Sequence, residues 1–466
     1  MELRQFVIEG LGHISGLVVD DAAGVAAVVD PRRDVDLYLD EARARGVRIS
    51  HVVETHLHND YVSGARELAD LSGAVQIHAA GAALRHDHQA VRDNETFDVG
   101  KLRFRALETP GHTPEHLSYS VADRSRADEP QLLFTGGSLL VGAVGRTDLL
   151  GAEHAEGYAR QMHASLHDRL LTHEDSVTVL PTHGGGSLCS KDIATTPWST
   201  VGFERRHDPL LAIQEVETFV RALLADQPAF PHYFARMRPI NQAGPAPLGA
   251  VPEPAPLPVE QVRRLLAGEG QIIDARSPED YAAGHIRGSL SIPAGSSFGT
   301  WLGWVVPHDR PVVLVLASVD DWDGQIRQAL RIGHENVAGY VDGGLDAWRS
   351  SGGPVAEGAS ISVSELAKKL QADPDVVVID VRQASEYEGG HVPGALRIHA
   401  GDLPDRLSEL PRDRPIATIC ASGYRSSVAA GLLHQAGFSD VSAVRDGLPQ
   451  WQAAGYPIET GPDGAG

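Results

Sequence analysis

The stretch IIDARSPEDYAAGHIRGSLSIP, starting at Ile272, returns as VIDVRQASEYEGGHVPGALRIH from Val378. Asp274 and Asp380, and likewise His285 and His391, stand 106 positions apart. Later landmarks keep step with small deletions: Asp342-Gly343 answers Asp446-Gly447 at 104 positions, and Trp348 answers Trp451 at 103. Self-similarity of this kind means that the C-terminal half holds two tandem copies of one domain, joined near Glu357 to Ser360, and not one continuous core. Within each copy, short β-branched runs (Val312 to Leu316; Val376 to Val381; Ile416 to Ile419) alternate with stretches of helical period. That is the pattern of an α/β domain with a parallel sheet.

The repeat sets the remaining boundaries. A Pro/Ala-rich segment, GPAPLGAVPEPAPLP from Gly244, cannot join a helix interior or a central strand, because each proline removes a donor and fixes φ. The 466 residues exceed one ordinary core; at roughly 150 residues per domain they divide into about three. The expected layout is a first domain over 1–243, a Pro-rich linker over 244–257, one copy over 258–357 and the second over 358–466. In the first domain Gly16 to Val19, Val25 to Val29, Ile49 to Val53, Leu102 to Leu107, Leu132 to Phe134 and Val177 to Leu180 read as strands. A helical pattern over Pro209 to Leu224 closes it.

Composition narrows the partners. A hydrophobic content of 42% with 22% charged residues is that of a soluble globular chain. The excess of 62 Asp+Glu over 40 Lys+Arg, a net charge of -22, argues against nucleic acid or an anionic membrane, both of which need a basic face. Small-molecule partners are expected instead. MELRQFVIEG lacks the basic and apolar regions of a secretion signal, and no run reaches the roughly 18 apolar residues that span a bilayer, so a cytoplasmic location is expected. The two cysteines, Cys189 and Cys420, are too few for a disulfide framework, and each is either a reactive thiol or an inert buried one.

The segments just past the strands of the first domain carry the chemistry. Val52-Val53 runs into Thr55-His56-Leu57-His58-Asn59-Asp60, and Leu107 into TPGHTPEH with His112 and His116. Leu132 to Phe134 runs into TGGSLLVGAVGRTDL, and Val179-Leu180 into PTHGGGSLC with His183. Loops that leave one edge of a sheet lie close together, so imidazoles from distant positions converge there as metal ligands. His13, His78, His86, His88 and His207 lack that setting and read as surface or packing residues.

Residues 1 to about 240 resemble the metallo-β-lactamase fold, an αββα sandwich, and within it the persulfide dioxygenase and hydroxyacylglutathione hydrolase branches. The family pattern is T-H-x-H-x-D-H, a His in P-G-H-T-P, an Asp after F-T-G and a His in P-x-H-G. Here it falls on His56, His58, Asp60, Tyr61, His112, Gly137 and His183. Tyr61 replaces a histidine of the second metal position. Gly137 replaces the aspartate that bridges two metals in the hydrolases and ligates the single iron in the dioxygenases. The resemblance thus implies one divalent metal, Fe2+ or Zn2+, on His56, His58 and His112, three neutral imidazoles with an open position. Asp60, His183, Asp148 or a Tyr61 phenolate are the candidates for a further ligand. Arg146 of GRTD is implied to bind an anionic sulfur substrate at the edge of the site. Cys189 follows the His183 loop as in the dioxygenase branch, as a site residue or as a buried inert thiol.

Both copies resemble rhodanese domains, the sulfurtransferase fold, through D-x-R…E-Y…G-H-[IV]-x-G-[AS] in the second copy and Asp280-Tyr281 for E-Y in the first. In the second copy Ile419-Cys420-Ala421-Ser422-Gly423-Tyr424-Arg425-Ser426 places a thiol at a strand end, before a loop that opens onto a helix. The six residues from Cys420 through Arg425 match the length of sulfur-handling members. Loop N–H groups, the positive end of the helix and the Arg425 guanidinium would hold a Cys420 thiolate or persulfide, with Gly423, Tyr424 and Ser426 binding the substrate. The first copy carries Leu316 at that place, followed by an acidic loop with Asp320 and Asp321. Leucine cannot attack sulfur, so this copy is expected to be a scaffold.

Fusion of the two halves implies one pathway of sulfane-sulfur metabolism. A low-molecular-weight persulfide such as glutathione persulfide is oxidised to sulfite by dioxygen at the metal, and Cys420 moves sulfur among thiosulfate and thiols. The relatives imply a homo-oligomer. Two alternatives stand beside this reading: a glyoxalase II-like thioester hydrolase fused to a sulfurtransferase, and a metal-free N-terminal scaffold for the rhodanese.

Overall fold

The computed structural model describes residues 1–462 and divides the chain into two compact units. The first comprises Met1–Val251 with Leu330–Gly333, and the second Pro252–Ala329 with His334 onward. The first unit contains two six-stranded sheets. One runs in chain order through β1 (Glu2–Ile8), β2 (His13–Asp20), β3 (Val25–Val29), β4 (Arg48–Val53), β5 (Val75–Ala79) and β6 (Gln89–Val91). The other consists of β7 (Thr96–Val99), β8 (Leu102–Glu108), β9 (Leu117–Asp123), β10 (Leu132–Gly136), β11 (Thr178–Pro181) and β12 (Ser199–Thr200).

Period-two alternation of apolar side chains decides the layering. Along β2 and β3, Val18, Ala27 and Val29 face the second sheet, where they meet Phe104, Tyr119, Val121 and Phe134 in the core between the sheets. Their neighbours Leu17, Val19, Ala26 and Val28 face the other way, onto helices Asp36–Arg45 and Ala65–Ser72 through Tyr38, Ala42 and Leu68. The outer face of the second sheet is covered likewise by helices Ala152–Ser165 and Val216–Leu224, with Leu133 and Val179 against Met162 and Phe219. The result is the αββα sandwich that the resemblance implied.

Strand directions then place the loops. β8 and β10 are each antiparallel to β9, and β11 is parallel to β10, so β8, β10 and β11 all end at one edge. The loops after them carry His112, Gly137 and His183, and the loop after β4 carries His56 and His58. The closing helix begins only at Val216, later than the pattern from Pro209 predicts. Glu215 caps it, its carboxylate accepting from the N–H groups of Glu217 (3.0 Å) and Thr218 (2.7 Å).

In the second unit each copy builds a five-stranded parallel sheet of matching strand order. The first runs Pro256–Leu257, Val337–Val341, Val312–Val315, Gln271–Asp274, Leu290–Ser291; the second runs Ala359–Ile361, Val441–Val444, Ile416–Ile419, Val377–Asp380, Leu396–Arg397. The repeated motif residues are the joints of this fold. Arg276 clasps Asp274 and the carbonyl of Gly284, as Arg382 clasps Asp380 and the carbonyl of Gly390. Trp348 and Trp451 donate their indole N–H to Pro354 and Pro457.

The Pro-rich segment is no slack tether at either end. Glu67 accepts from the N–H groups of Leu248 (3.0 Å) and Gly249 (2.8 Å), and Pro256–Leu257 forms an edge strand, where a missing donor is tolerated. Among the described residues no helix is long and apolar enough to cross a membrane.

Candidate functional site

In the first unit the loops after β4, β8 and β11 bring four imidazoles together, each from a ring that is at most 1% exposed: His56, His58, His112 and His183. The His56 ring lies 4.3 Å from His58, 5.0 Å from His112 and 5.5 Å from His183, centroid to centroid. Each of the first three has one nitrogen committed and one open. His56 Nδ1 meets Thr55 Oγ1 at 2.8 Å, His58 Nε2 meets Glu54 Oε2 at 2.6 Å, and His112 Nδ1 meets the carbonyl of Arg146 at 2.8 Å. Since carbonyl and carboxylate only accept, His112 carries its proton on Nδ1 and His58 on Nε2. Thr55 Oγ1 donates to Asp30 Oδ2 (2.9 Å), so it accepts from His56 Nδ1–H.

The opposite nitrogens, His56 Nε2, His58 Nδ1 and His112 Nε2, have no hydrogen-bond partner, and neither does His183 Nε2, while His183 Nδ1 stands 3.3 Å from Asp60 Oδ2. Each such buried orphan costs about 1–3 kcal/mol. The ligand atoms of His56, His58 and His183 lie within 4.8 Å of one another, as do those of His112, His183 and Cys189, so the orphans fit ligation of a cation with His183 common to both sets.

Two buried carboxylates hold the histidine loops from behind. Asp30 accepts from Thr55 N (2.7 Å), Thr55 Oγ1 and Thr182 Oγ1, so it joins the His56 loop to the His183 loop. Glu54 takes His58 Nε2 on one oxygen and Ser63 Oγ on the other. Burial opposes a charged His58, but in the absence of a cation Glu54 and Asp30 outweigh it and push its pKa up to about 10, so a cation on Nδ1 must displace a proton. Burial, with nearby His58, lowers the His13 pKa to about 3, and burial with His183 lowers that of His112 to about 3. Carboxylates behind ligating histidines are the usual device for fixing tautomer and ring orientation.

Other residues singled out by the sequence are spent elsewhere. Tyr61 is no phenolate: burial, with the Glu54 carboxylate, raises its pKa well above the ordinary phenol value, and its ring stacks on His58 at 4.4 Å. Asp148 is held by Arg146 Nε (2.6 Å) and Nη2 (2.7 Å). Arg146, expected at an anionic substrate, is 2% exposed; its Nη1 donates to the carbonyls of Leu188 (3.0 Å) and Pro228 (2.7 Å), and it lies 4.8 Å from the Phe230 ring centroid. It is a buried clamp. His116 is structural too, with Nε2 accepting from Gly137 N at 2.9 Å and Nδ1 on Thr109 Oγ1 at 2.9 Å.

In the second copy Cys420 ends the strand Ile416–Ile419 and is 1% exposed. Its Sγ accepts from Gly423 N at 3.2 Å and lies 3.4 Å from Ser426 Oγ, at the start of helix Tyr424–Gln435. Gly423 has φ +89, and a Cβ there would collide with the Arg445 carbonyl, so glycine is required for the turn that aims this N–H at sulfur. Arg425 is held on Glu386 by two bonds of 2.6 and 2.8 Å. Burial raises and Arg425 lowers the Glu386 pKa, with a net shift downward. Tyr424 turns its hydroxyl to the carbonyl of Pro293 in the first copy, at 2.9 Å.

The first copy differs in form as well as in lacking sulfur. Val319–Asp321 is a tight 3-10 turn whose donors are consumed internally: Asp320 N reaches Ser318 Oγ (3.2 Å) and Ser318 N reaches Asp321 Oδ2 (3.1 Å). It adds aromatic surface beside the active loop instead. Trp304 lies 4.6 Å from the ring of His399, whose pKa burial and then Arg425 lower to about 4. Sequence reasoning passed over Asp30, Glu54, Trp304 and His399. Asp30 and Glu54, each directly after a run read as a strand, carried a local signal.

A two-sheet sandwich with four converging histidines, followed by two parallel-sheet repeats of which one holds a cradled cysteine, defines a metallohydrolase-type fold joined to sulfurtransferase modules. The chain belongs to the metallo-β-lactamase superfamily, whose model matches residues 10–183, and the rhodanese-like domain model matches residues 258–351 and 362–454. A crystal structure of a metallo-β-lactamase from Staphylococcus aureus is 31% identical with a TM-score of 0.65, covering 73% of this chain and 98% of that one. The mitochondrial persulfide dioxygenase ETHE1 of Bos taurus is 26% identical over 212 residues, 44% of this chain and 74% of its own. A sulfurtransferase of Allochromatium vinosum is 36% identical over 98 residues, 21% of this chain and 92% of its own. The chain is accordingly an enzyme of sulfur metabolism with a metal-binding fold and two rhodanese domains.

Proposed function

We propose that the first unit oxidises a low-molecular-weight persulfide, of the glutathione persulfide kind, at a single divalent metal held by His56, His58 and His112, and that Cys420 relays sulfane sulfur. The observation that carries the reading is the set of three buried, unpartnered imidazole nitrogens, each with its other nitrogen fixed by an acceptor or hydroxyl. The likeness to a persulfide dioxygenase supports the substrate class. Bound there, a ferrous ion would supply the one-electron chemistry that dioxygen needs, which zinc lacks. The chain's own residues do the rest. Glu54 and Asp30 hold His58 in register, Thr55 orients His56, and burial excludes water from the ligating face.

In the second copy the Cys420 thiolate attacks the outer sulfur of thiosulfate, sulfite leaves, and the resulting persulfide passes its terminal sulfur to an acceptor thiol. Gly423 N–H steadies the negative sulfur, and Arg425 adds positive charge at the rim. The acceptor's persulfide is then a substrate for the first unit.

Oxygen uptake by iron-loaded protein with glutathione persulfide tests the reading. Stoichiometric oxygen consumption and sulfite release are expected, and both are expected to vanish in His112→Ala. Hydrolysis of a glutathione thioester without oxygen uptake would replace the reading with the hydrolase alternative.

A further inference from the structure

We infer that Cys189 is an anionic ligand of the metal centre, binding the cation together with His112 and His183. The inference rests on the reading that the centre holds one divalent cation, and it names a ligand outside the three-imidazole set.

The ligand atoms of His112, His183 and Cys189 all lie within 4.8 Å of one another, and all three residues are buried. Ligands of a tetrahedral cation at zinc-like bond lengths stand roughly 3.5 Å apart, so small rotations close the site. His112 Nε2 and His183 Nε2 are without partners in residues at most 1% exposed. The Cys189 thiol is in no disulfide and is 0% exposed.

Charge balance points the same way. Three imidazoles bring no negative charge, and a buried dication needs some. Asp30 and Glu54 are engaged behind His58, and Asp148 is engaged by Arg146. Asp60 lies 3.3 Å from His183 Nδ1, where it is placed to hold the proton on that nitrogen and leave Nε2 for a cation. That leaves the Cys189 thiol, which becomes an anion on losing its proton to the incoming cation, within bonding range of His112 and His183. The backbone is arranged for it: Arg146 N donates to the Cys189 carbonyl at 2.8 Å, while the Arg146 carbonyl takes His112 Nδ1–H at 2.8 Å, so one residue locks both ligands. On binding, the thiol releases its proton to solvent and a metal–sulfur bond forms, with no change of oxidation state.

The test uses cobalt(II) in the full chain carrying Cys420→Ser, which leaves Cys189 as the sole thiol of the two. A near-ultraviolet thiolate-to-cobalt absorption is expected. It is expected to be lost when Cys189→Ser is added, with the visible bands of nitrogen-bound cobalt retained. Should the added serine prevent folding, X-ray absorption of the zinc-loaded Cys420→Ser protein decides: a sulfur scatterer at about 2.3 Å supports the ligand, and a shell of nitrogen and oxygen alone overturns it. Cobalt retained without the thiolate band overturns the inference and leaves the single-metal reading standing. Failure to retain any cation overturns both.

Discussion

The open nitrogen of His112 occupies the space that a side chain at residue 137 would need: a Cβ built on Gly137 would stand 2.7 Å from His112 Nε2. Gly145 seals the same place from the other side, packed on the Gly137 carbonyl. Where the resemblance places an aspartate, the His112 ring therefore stands against bare backbone. Gly137→Asp is expected to displace His112, to destabilise the first unit by about 1–3 kcal/mol as overpacking does, and to reduce metal content. Thermal unfolding and metal analysis of the purified variant check this. A variant as stable as its parent that takes up more metal refutes it.

Glu54 and His58 form the second relationship with a consequence. Their 2.6 Å contact occupies His58 Nε2 and leaves Nδ1 unpartnered, in a ring 4.3 Å from that of His56. Glu54→Gln keeps the shape and one acceptor but removes the charge, and metal affinity is expected to fall about 10–100-fold, the usual cost of losing such a partner. Competition against a chelator measures it. An unchanged affinity would mean that orientation alone, without the carboxylate's charge, suffices.

The histidine cluster was legible in sequence because His56, His58, His112 and His183 each come soon after a clear apolar run. What holds them was not, since Asp30 and Glu54 meet Thr182 and Ser63 only through the tertiary fold. Arg146 misled for a related reason. Arginine suggests exposure, yet Asp148 two residues on, two backbone carbonyls and the Phe230 ring satisfy it inside. Strand β9 was missed because Ser118 and Ser120 interrupt its apolar pattern, although all seven of its residues are buried. Edge strand β1 was missed because its exposed polar positions dilute the signal. The repeats were read more fully, because each sheet's central strands are buried on both faces and appear as unbroken β-branched runs.

His399 gives the second unit an acid-sensitive point. Burial, then the Arg425 charge, lower its pKa from 6.5 to about 4. The unfolded chain binds this proton near 6.5 and the folded chain only near 4, so the unfolded state holds more protons in between. Stability is therefore full above about pH 6.5 and falls as pH drops through that window, with a slope of up to about 1.4 kcal/mol per pH unit. Glu386, also shifted downward, acts in the same direction at lower pH, as it is lost as a partner for Arg425. Urea unfolding of the full chain followed by tryptophan fluorescence is expected to show the decline, and His399→Gln to flatten it. A parallel decline in both proteins would assign the acid sensitivity elsewhere.

Restoring the missing sulfur to the first copy is expected to fail. Leu316→Cys would put a thiol at the end of Val312–Val315, the place that Cys420 takes after Ile416–Ile419. Three conditions that Cys420 enjoys would still be absent. The N–H groups of Asp320 and Asp321 go to Ser318, and that of Ser318 to Asp321 Oδ2, and not to residue 316. No left-handed glycine stands where Gly423 supplies the sulfur's donor. The acids Asp320 and Asp321 repel an anion where Arg425 attracts one, so the new thiol would stay protonated and thiosulfate would be turned away. In a Leu316→Cys, Cys420→Ser protein, thiosulfate sulfurtransferase activity is expected to remain at the level of Cys420→Ser alone. Activity within tenfold of the parent would show that a thiol at the strand end suffices and that the loop is dispensable.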